Sequence, residues 1–318
     1  MTDLKVFRRG ADGRDVELRG STVARERELQ QRVEGALETM LGVRFLASEY
    51  PTGPWHQGRI DTLGLDENNA PVVIEFKRSR DAGVITQTAS YLVWLMAHRH
   101  EFEALVRSRL GLEAPAAVDW RRPRAICVAA EFSRHDRAAA SLHQRDHGVD
   151  LVRYRVFGPD LLTLQLVETV PGVTASSSPL PAGRVGEVGI DVEQEVDPIP
   201  ASVSSGQVEV PRCLRELYDD LDEALTTAGE LEAVVLKHYI AYKRLLNVAS
   251  VLFRPSVSHR AILVYLRLDP DSVELEEGFT RDVRGIGHLG TGDLEVRIAS
   301  SADVEKAVPL IRRAVEES

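Results

Sequence analysis

Residues 171–210, PGVTASSSPLPAGRVGEVGIDVEQEVDPIPASVSSGQVEV, carry one Arg against six acids and are rich in Pro, Ser and Gly, with no apolar period. Such a run buries too little surface to offset the entropy of ordering it, and loops beyond about 15 residues are uncommon inside a compact domain. The chain is therefore predicted to divide into a folded unit over 1–170, an acidic linker over 171–210 and a second folded unit over 211–318. With 318 residues the chain is long enough for two such units, at roughly 100–200 residues each.

The formal net charge of -10 argues against a protein that coats nucleic acid by bulk charge. Its distribution weakens that objection. Residues 1–170 hold 24 Lys+Arg against 24 Asp+Glu; the linker contributes 1 against 6 and residues 211–318 contribute 14 against 19, so the deficit is -5 and -5. Two cysteines, Cys127 and Cys213, cannot build a disulfide framework or a four-thiolate zinc site. The opening MTDLKVFRRGADGRD is charged throughout, and no run of about 18 apolar residues occurs. A cytoplasmic chain, neither secreted nor membrane-spanning, is the expectation.

In the first unit, Val23, Leu29, Val33, Leu37 and Leu41 recur mostly at spacings of four, which predicts one amphipathic helix over 23–41. The runs VRFLASEY, GRIDTLGL and PVVIEFKR read as three strands of a meander, separated by a loop over 51–58 and the turn DENNAP. Then follow a long helix from DAGVITQ to RSRLG, the strand RAICVAAEF, the helix SRHDRAAASLHQRD and a last strand VDLVRYRVF. Mixed sheets flanked by helices have this order of elements, so the unit is expected to be α/β.

On the third strand Glu75 and Lys77 are two apart, so they emerge on one face while Ile74 and Phe76 point to the other. Asp61 on the neighbouring strand can meet them. Two carboxylates beside a main-chain carbonyl form a hard-oxygen site suited to Mg²⁺, and a nearby lysine can hold or polarise an attacking water. These parts suffice for phosphodiester hydrolysis. Spacing leaves a second reading open, because an E-x-K pair is also a common ion pair on a solvated sheet face.

The run EYPTGPWHQGRIDTLGLDENNAPVVIEFKR, followed by Gln87 and Tyr91, resembles the signature of the PD-(D/E)XK nuclease superfamily. More narrowly, it is similar to the nuclease domain of the NucS/EndoMS endonucleases, through G-x-[IV]-D, [IV]-E-[IVLF]-K-R and Q-x-x-x-Y elements over about residues 24–165. The resemblance implies a restriction-endonuclease-like α/β core and a Mg²⁺- or Mn²⁺-dependent DNA endonuclease, acting in DNA repair or in defence against foreign DNA. It assigns metal binding to Asp61, Glu75, the Phe76 carbonyl and an upstream helical glutamate, and assistance of the nucleophile to Lys77. Glu26 is the first choice for that glutamate, with Glu28 and Glu34 on the same helix as alternatives. Gln87 and Tyr91, four apart on the following helix, would line the cleft. Trp55, His56 and Arg59 ahead of Asp61, and Arg78 and Arg80 after Lys77, are placed to meet a base or a phosphate; Trp55 as a loop cap and Arg59 as an ion-pair partner are the alternatives. In that family a dimerising, DNA-binding domain precedes the nuclease, whereas about 22 residues precede the first helix here. Mismatch specificity is therefore not implied. A homodimer through either unit would supply the two sites that cutting both strands requires. The alternative function is a module on a nuclease fold that binds nucleic acid or protein without cutting.

The second unit reads as a small α+β domain. It resembles a module catalogued as domain-of-unknown-function family 5655, through YIAYKR, ILVYLRL and DVRGIGHLGTGDLEV over about residues 213–316, which brings no activity with it. Gly285, Gly287, Gly290 and Gly292 around His288 suit either a tight hairpin or close approach to a phosphate. Tyr239, Tyr242, Lys243 and Arg244 are read on a helix, as a half-buried element or a nucleic-acid contact. His143 and His147 have metal-ligand spacing, but no further zinc ligands accompany them; they, His135, His98 and His100 read as surface residues. No P-loop or dinucleotide fingerprint occurs in a suitable setting.

Overall fold

The computed structural model describes residues 4–53, 58–79, 83–142, 148–170, 208–257, 260–286, 288 and 290–318. Most of the linker predicted over 171–210 lies outside these residues, as do His143 and His147.

A mixed six-stranded sheet, flanked by helices on both faces, forms the first unit. Its strands are β3 (Val43–Pro51), β4 (Arg59–Asp66), β5 (Pro71–Lys77), β6 (Arg124–Ala129), β7 (Gly148–Phe157) and β8 (Leu161–Val170), side by side in chain order. β3, β4 and β5 form the antiparallel meander that the short turns dictate. β5, β6 and β7 run parallel, because helices carry the chain back across the sheet between them. β5 and β6 are buried almost throughout, as strands covered on both faces must be. One face packs on α1 (Glu26–Glu34) and α2 (Leu37–Leu41), through Leu29, Val33, Leu37 and Leu41 against Ile74, Phe76, Ile126 and Val128. The other packs on α3 (Val84–Ala97), α4 (Arg99–Leu110) and α5 (Arg134–Leu142), through Tyr91, Leu92, Leu95 and Phe102 against Leu63, Val73 and Cys127.

Several expectations are corrected. The helix expected over 23–41 breaks at Gly35–Ala36, and this break lets Leu37 and Leu41 turn into the same core as Leu29 and Val33. The long helix after the meander likewise divides at His98. β8 extends the sheet beyond the strand that was expected to be its last, and an exposed hairpin, β1 (Val6–Arg9) with β2 (Asp15–Leu18), precedes α1.

A second six-stranded sheet, antiparallel throughout, has the order β13-β14-β12-β11-β10-β9. Its strands are β9 (Glu232–Val235), β10 (Ile240–Lys243), β11 (Asn247–Arg254), β12 (Ala261–Leu266), β13 (Thr280–Asp282) and β14 (Leu294–Ile298). α6 (Arg215–Ala228) and α7 (Ser301–Glu316) pack on one face through Leu221, Leu225, Ala307 and Ile311. Tyr242, Lys243 and their neighbours thus lie on strand β10, not on a helix. Ile240 and Tyr242 alternate into the helix-covered core, and pairing to β9 and β11 on both sides overrides the helix-forming Ala and Lys.

The two sheets meet through buried polar contacts. The side-chain amides of Asn68 and Asn247 bond each other reciprocally, at 3.2 and 2.8 Å. Tyr239 Oη donates to Asn68 Oδ1 at 3.0 Å, and the Asn247 N–H donates to Glu67 Oε2 at 2.7 Å. Asn68 and Glu67 belong to the DENNAP turn. That turn therefore serves the second unit as well as the meander.

Candidate active site

The site is built where β4 and β5 part. Their ladder runs from Leu65 opposite Pro71 to Thr62 opposite Ile74. Beyond it, side chains replace main chain as partners: the Asp61 N–H donates to Glu75 Oε1 at 3.2 Å, and the Phe76 N–H donates to Asp61 Oδ2 at 2.9 Å. Two carboxylates are thereby fixed against each other at the mouth of a splayed strand pair. Glu75 is fully buried, and among the described residues its Oε2 has no hydrogen-bond partner.

Electrostatics reflect this enclosure. Burial pushes the Asp61 carboxyl up to about 6, against the Phe76 N–H and the Lys77 charge, which favour its ionised form. Burial and the Asp61 charge push Glu75 up to about 8. A folded chain that keeps protons the unfolded chain has released is most stable in acid. The stability contributed by this pair is present in full below pH ~4 and is lost as pH rises through about 6 and about 8. In chelator, the melting temperature is therefore expected to fall between pH 5 and 8, and to fall less in Asp61→Asn; identical slopes in the two proteins would contradict the coupling.

Lys77 closes the same strand, with its side chain 14% exposed and Nζ 3.5 Å from Glu26 Oε1. The other Glu26 oxygen accepts from the Arg78 N–H at 3.0 Å. Glu26 thus reaches the rim of the site but is turned toward Lys77 and Arg78. Glu28 is exposed on the outer side of α1, and Glu34 is held by the Thr62 hydroxyl at 2.5 Å. Between them Gln30, which sequence reasoning missed, is buried and donates to the Asp61 carbonyl at 2.8 Å. Its signal was the polar row Glu26, Gln30, Glu34 at helical spacing beside an apolar stripe.

On the opposite face, Gln87 Nε2 donates to Tyr91 Oη at 3.2 Å, and that oxygen accepts the Arg59 N–H at 3.2 Å. Gly58 makes room for this ring, since a Cβ there would stand 2.8 Å from Tyr91 Cε1. The Arg59 guanidinium pairs with Glu49 at 2.5 Å, and the Arg78 guanidinium donates to the Ala24 carbonyl at 3.1 Å. Trp55, His56 and Arg80 lie outside the described residues. Cys127, opposite Glu75 on β6, is buried with its thiol pushed up to about 12, which makes it a packing group.

Among the described residues no cluster of three or more His, Cys, Asp and Glu side chains is arranged to hold a metal ion. The donors that do converge are two carboxylates, one with an unsatisfied buried oxygen. That set fits Mg²⁺, which is commonly held by one or two carboxylates and otherwise keeps its waters.

No family model matches the chain. A Haemophilus influenzae protein described as uncharacterized is 25% identical over 299 residues, covering 92% of this chain and 93% of that protein. Among the described residues no helix is long and apolar enough to cross a membrane. Among solved structures, the chain is similar to a repair endonuclease from Pyrococcus abyssi, at 18% identity and a TM-score of 0.27, over 42% of this chain. It spans about half of that structure, 48%. The strand order and the Asp61–Glu75 geometry, independent of that likeness, define the fold and the site.

Proposed function

We propose that the chain is a metal-dependent endonuclease that hydrolyses phosphodiester bonds in DNA. The carrying observation is the pair Asp61 and Glu75, two carboxyl groups locked together in a desolvated cleft that resists their joint ionisation, with Glu75 Oε2 unpartnered among the described residues. Such an arrangement is unfavourable for a protein alone and becomes favourable when a cation joins it. The ordered likeness of residues 24–165 to NucS/EndoMS nuclease domains supports the same reading.

Asp61, Glu75 and the Phe76 carbonyl would hold Mg²⁺ or Mn²⁺. When bound, the cation acidifies a water and neutralises charge on the phosphate. Lys77 supplies a positive charge beside the pair, where it orients the attacking water and favours the ionised carboxylates. Glu26 positions Lys77 and the strand end, and Gln30 fixes the β4 main chain at Asp61. Gln87 and Tyr91 brace the opposite wall. Arg59 and Arg78, with Trp55, His56 and Arg80, are the proposed contacts to DNA.

The test is incubation of the purified protein with single-stranded, duplex, mismatched and deaminated-base DNA, with Mg²⁺ or Mn²⁺ and with chelator. Cleavage is expected with metal and not with chelator. Cleavage that persists in Asp61→Ala or Lys77→Ala would overturn the assignment.

A further inference from the structure

Gly285, His288, Gly290 and Gly292 belong to the connection of the β13–β14 hairpin that the glycines suggested: the two strands pair antiparallel, and the Val283 N–H donates to the Asp293 carbonyl at 3.0 Å. Helices α6 and α7 cover one face of the second sheet; this segment lies on the other. Thr291 N–H donates to Ser250 Oγ at 3.0 Å, and Ser250 Oγ donates to the Thr291 carbonyl at 3.2 Å. Gly292, at φ +124°, rests on β12 so closely that a Cβ would stand 2.7 Å from the Tyr265 main chain. Only glycine permits both that backbone and that approach.

Pressed down in this way, the His288 ring stacks on Tyr265, with centroids 4.5 Å apart and planes at 21°. Both rings line a cavity of about 450 Å³, together with Leu252, Leu263, Arg254 and Arg281. That volume is in the range of small-molecule sites, roughly 300–1,000 Å³. His288 Nδ1 lies 3.0 Å from the Ile286 carbonyl, which can only accept, so Nδ1 carries the hydrogen. In the neutral ring Nε2 is then an acceptor. It is buried, and among the described residues nothing donates to it. Glu295 holds Arg281 at 2.8 Å, and the Arg254 side chain is exposed at the rim.

We infer that this cavity binds a nucleotide, either free or as an unstacked unit of a DNA strand. The aromatic and leucine walls suit a flat ring, Nε2 suits a ring N–H, and Arg254 at the rim suits an attached phosphate. The inference goes beyond the nuclease reading and does not depend on it, because the cavity uses none of the residues around Asp61.

Binding is measured on the full chain in chelator, with AMP, GMP, CMP and TMP, ribose 5-phosphate, inorganic phosphate and a short labelled single strand. At least one mononucleotide or the strand is expected to bind about tenfold tighter than ribose 5-phosphate. His288→Phe keeps a ring on Tyr265 and removes the acceptor; it should weaken that binding about tenfold, and so should Arg254→Ala at the rim. Preference for mononucleotides identifies a free ligand, and preference for the strand identifies a substrate contact; either supports the inference when His288→Phe and Arg254→Ala weaken it. Failure of every nucleotide and the strand to exceed ribose 5-phosphate overturns it. So does binding that ignores both His288→Phe and Arg254→Ala.

Discussion

Asp61→Asn is expected to lower metal-dependent DNA cleavage by about 10³-fold or more while leaving the fold intact. The substitution keeps an oxygen that can accept the Phe76 N–H, so the splayed end of β4 and β5 survives. What it removes is one of two negative charges in a desolvated cleft. Charge stabilisation by a bound metal is worth several kcal/mol, and about 1.4 kcal/mol is a factor of ten in rate. Lys77→Ala should show a loss of similar size for a different reason, since it deletes the positive charge beside the carboxylates. Circular dichroism and a gel assay on the same preparations separate lost chemistry from lost fold. In chelator the Asp61→Asn protein should melt higher than wild type near pH 8, where the native pair is forced to ionise. Full activity in a folded Asp61→Asn protein would remove Asp61 from the reaction.

Arg124→Ala should destabilise the chain by about 3–5 kcal/mol, although Arg124 has no place among the residues that carry the chemistry. Arg124 opens β6 and is 6% exposed; it bonds Asp150 on β7 and stands 3.5 Å from Asp66 at the end of β4. Asp66 and Asp150 are themselves nearly buried, so truncating the arginine leaves two carboxylates without their shared cation. Lys243 from the second sheet is buried within electrostatic reach of all three. Burial first, and then the Arg124 charge, holds its ammonium below the usual lysine range. Loss of Arg124 therefore also perturbs the contact between the two sheets. Denaturant titration measures the loss, and a change below about 1 kcal/mol would show that water already screens the cluster.

The meander and the α/β core were legible in the sequence because their signals are local. VRFLASEY, GRIDTLGL and PVVIEFKR are short β-prone runs between turn residues, and alternation on β5 placed Glu75 and Lys77 apart from Ile74 and Phe76. β8 was also written there, in the alternation of Leu162, Leu164 and Leu166 after the turn at Gly158, but it was overlooked. The β1–β2 hairpin offers no such signal, because it buries almost nothing. Tyr239 and Lys243 misled in another way. Their segment is helix-compatible in isolation and becomes strand through partners from distant parts of the chain. In the site, residue types were readable, but the hydrogen bonds that cross the splayed strands were not. The polar row Glu26, Gln30, Glu34 marks a face of the helix, but its spacing does not say that Gln30 reaches the Asp61 carbonyl or that Glu26 turns to the Arg78 N–H.

Glu75 has an evolutionary corollary. A buried carboxylate oxygen with no partner is a standing invitation to replacement, since Gln or an apolar residue of similar volume would make the metal-free chain more stable. Libraries sorted for thermal resistance alone should therefore discard glutamate at this position early, and libraries sorted for DNA cleavage should retain it. Divergence between the two selections would measure how far the position has been shaped by chemistry at the expense of folding.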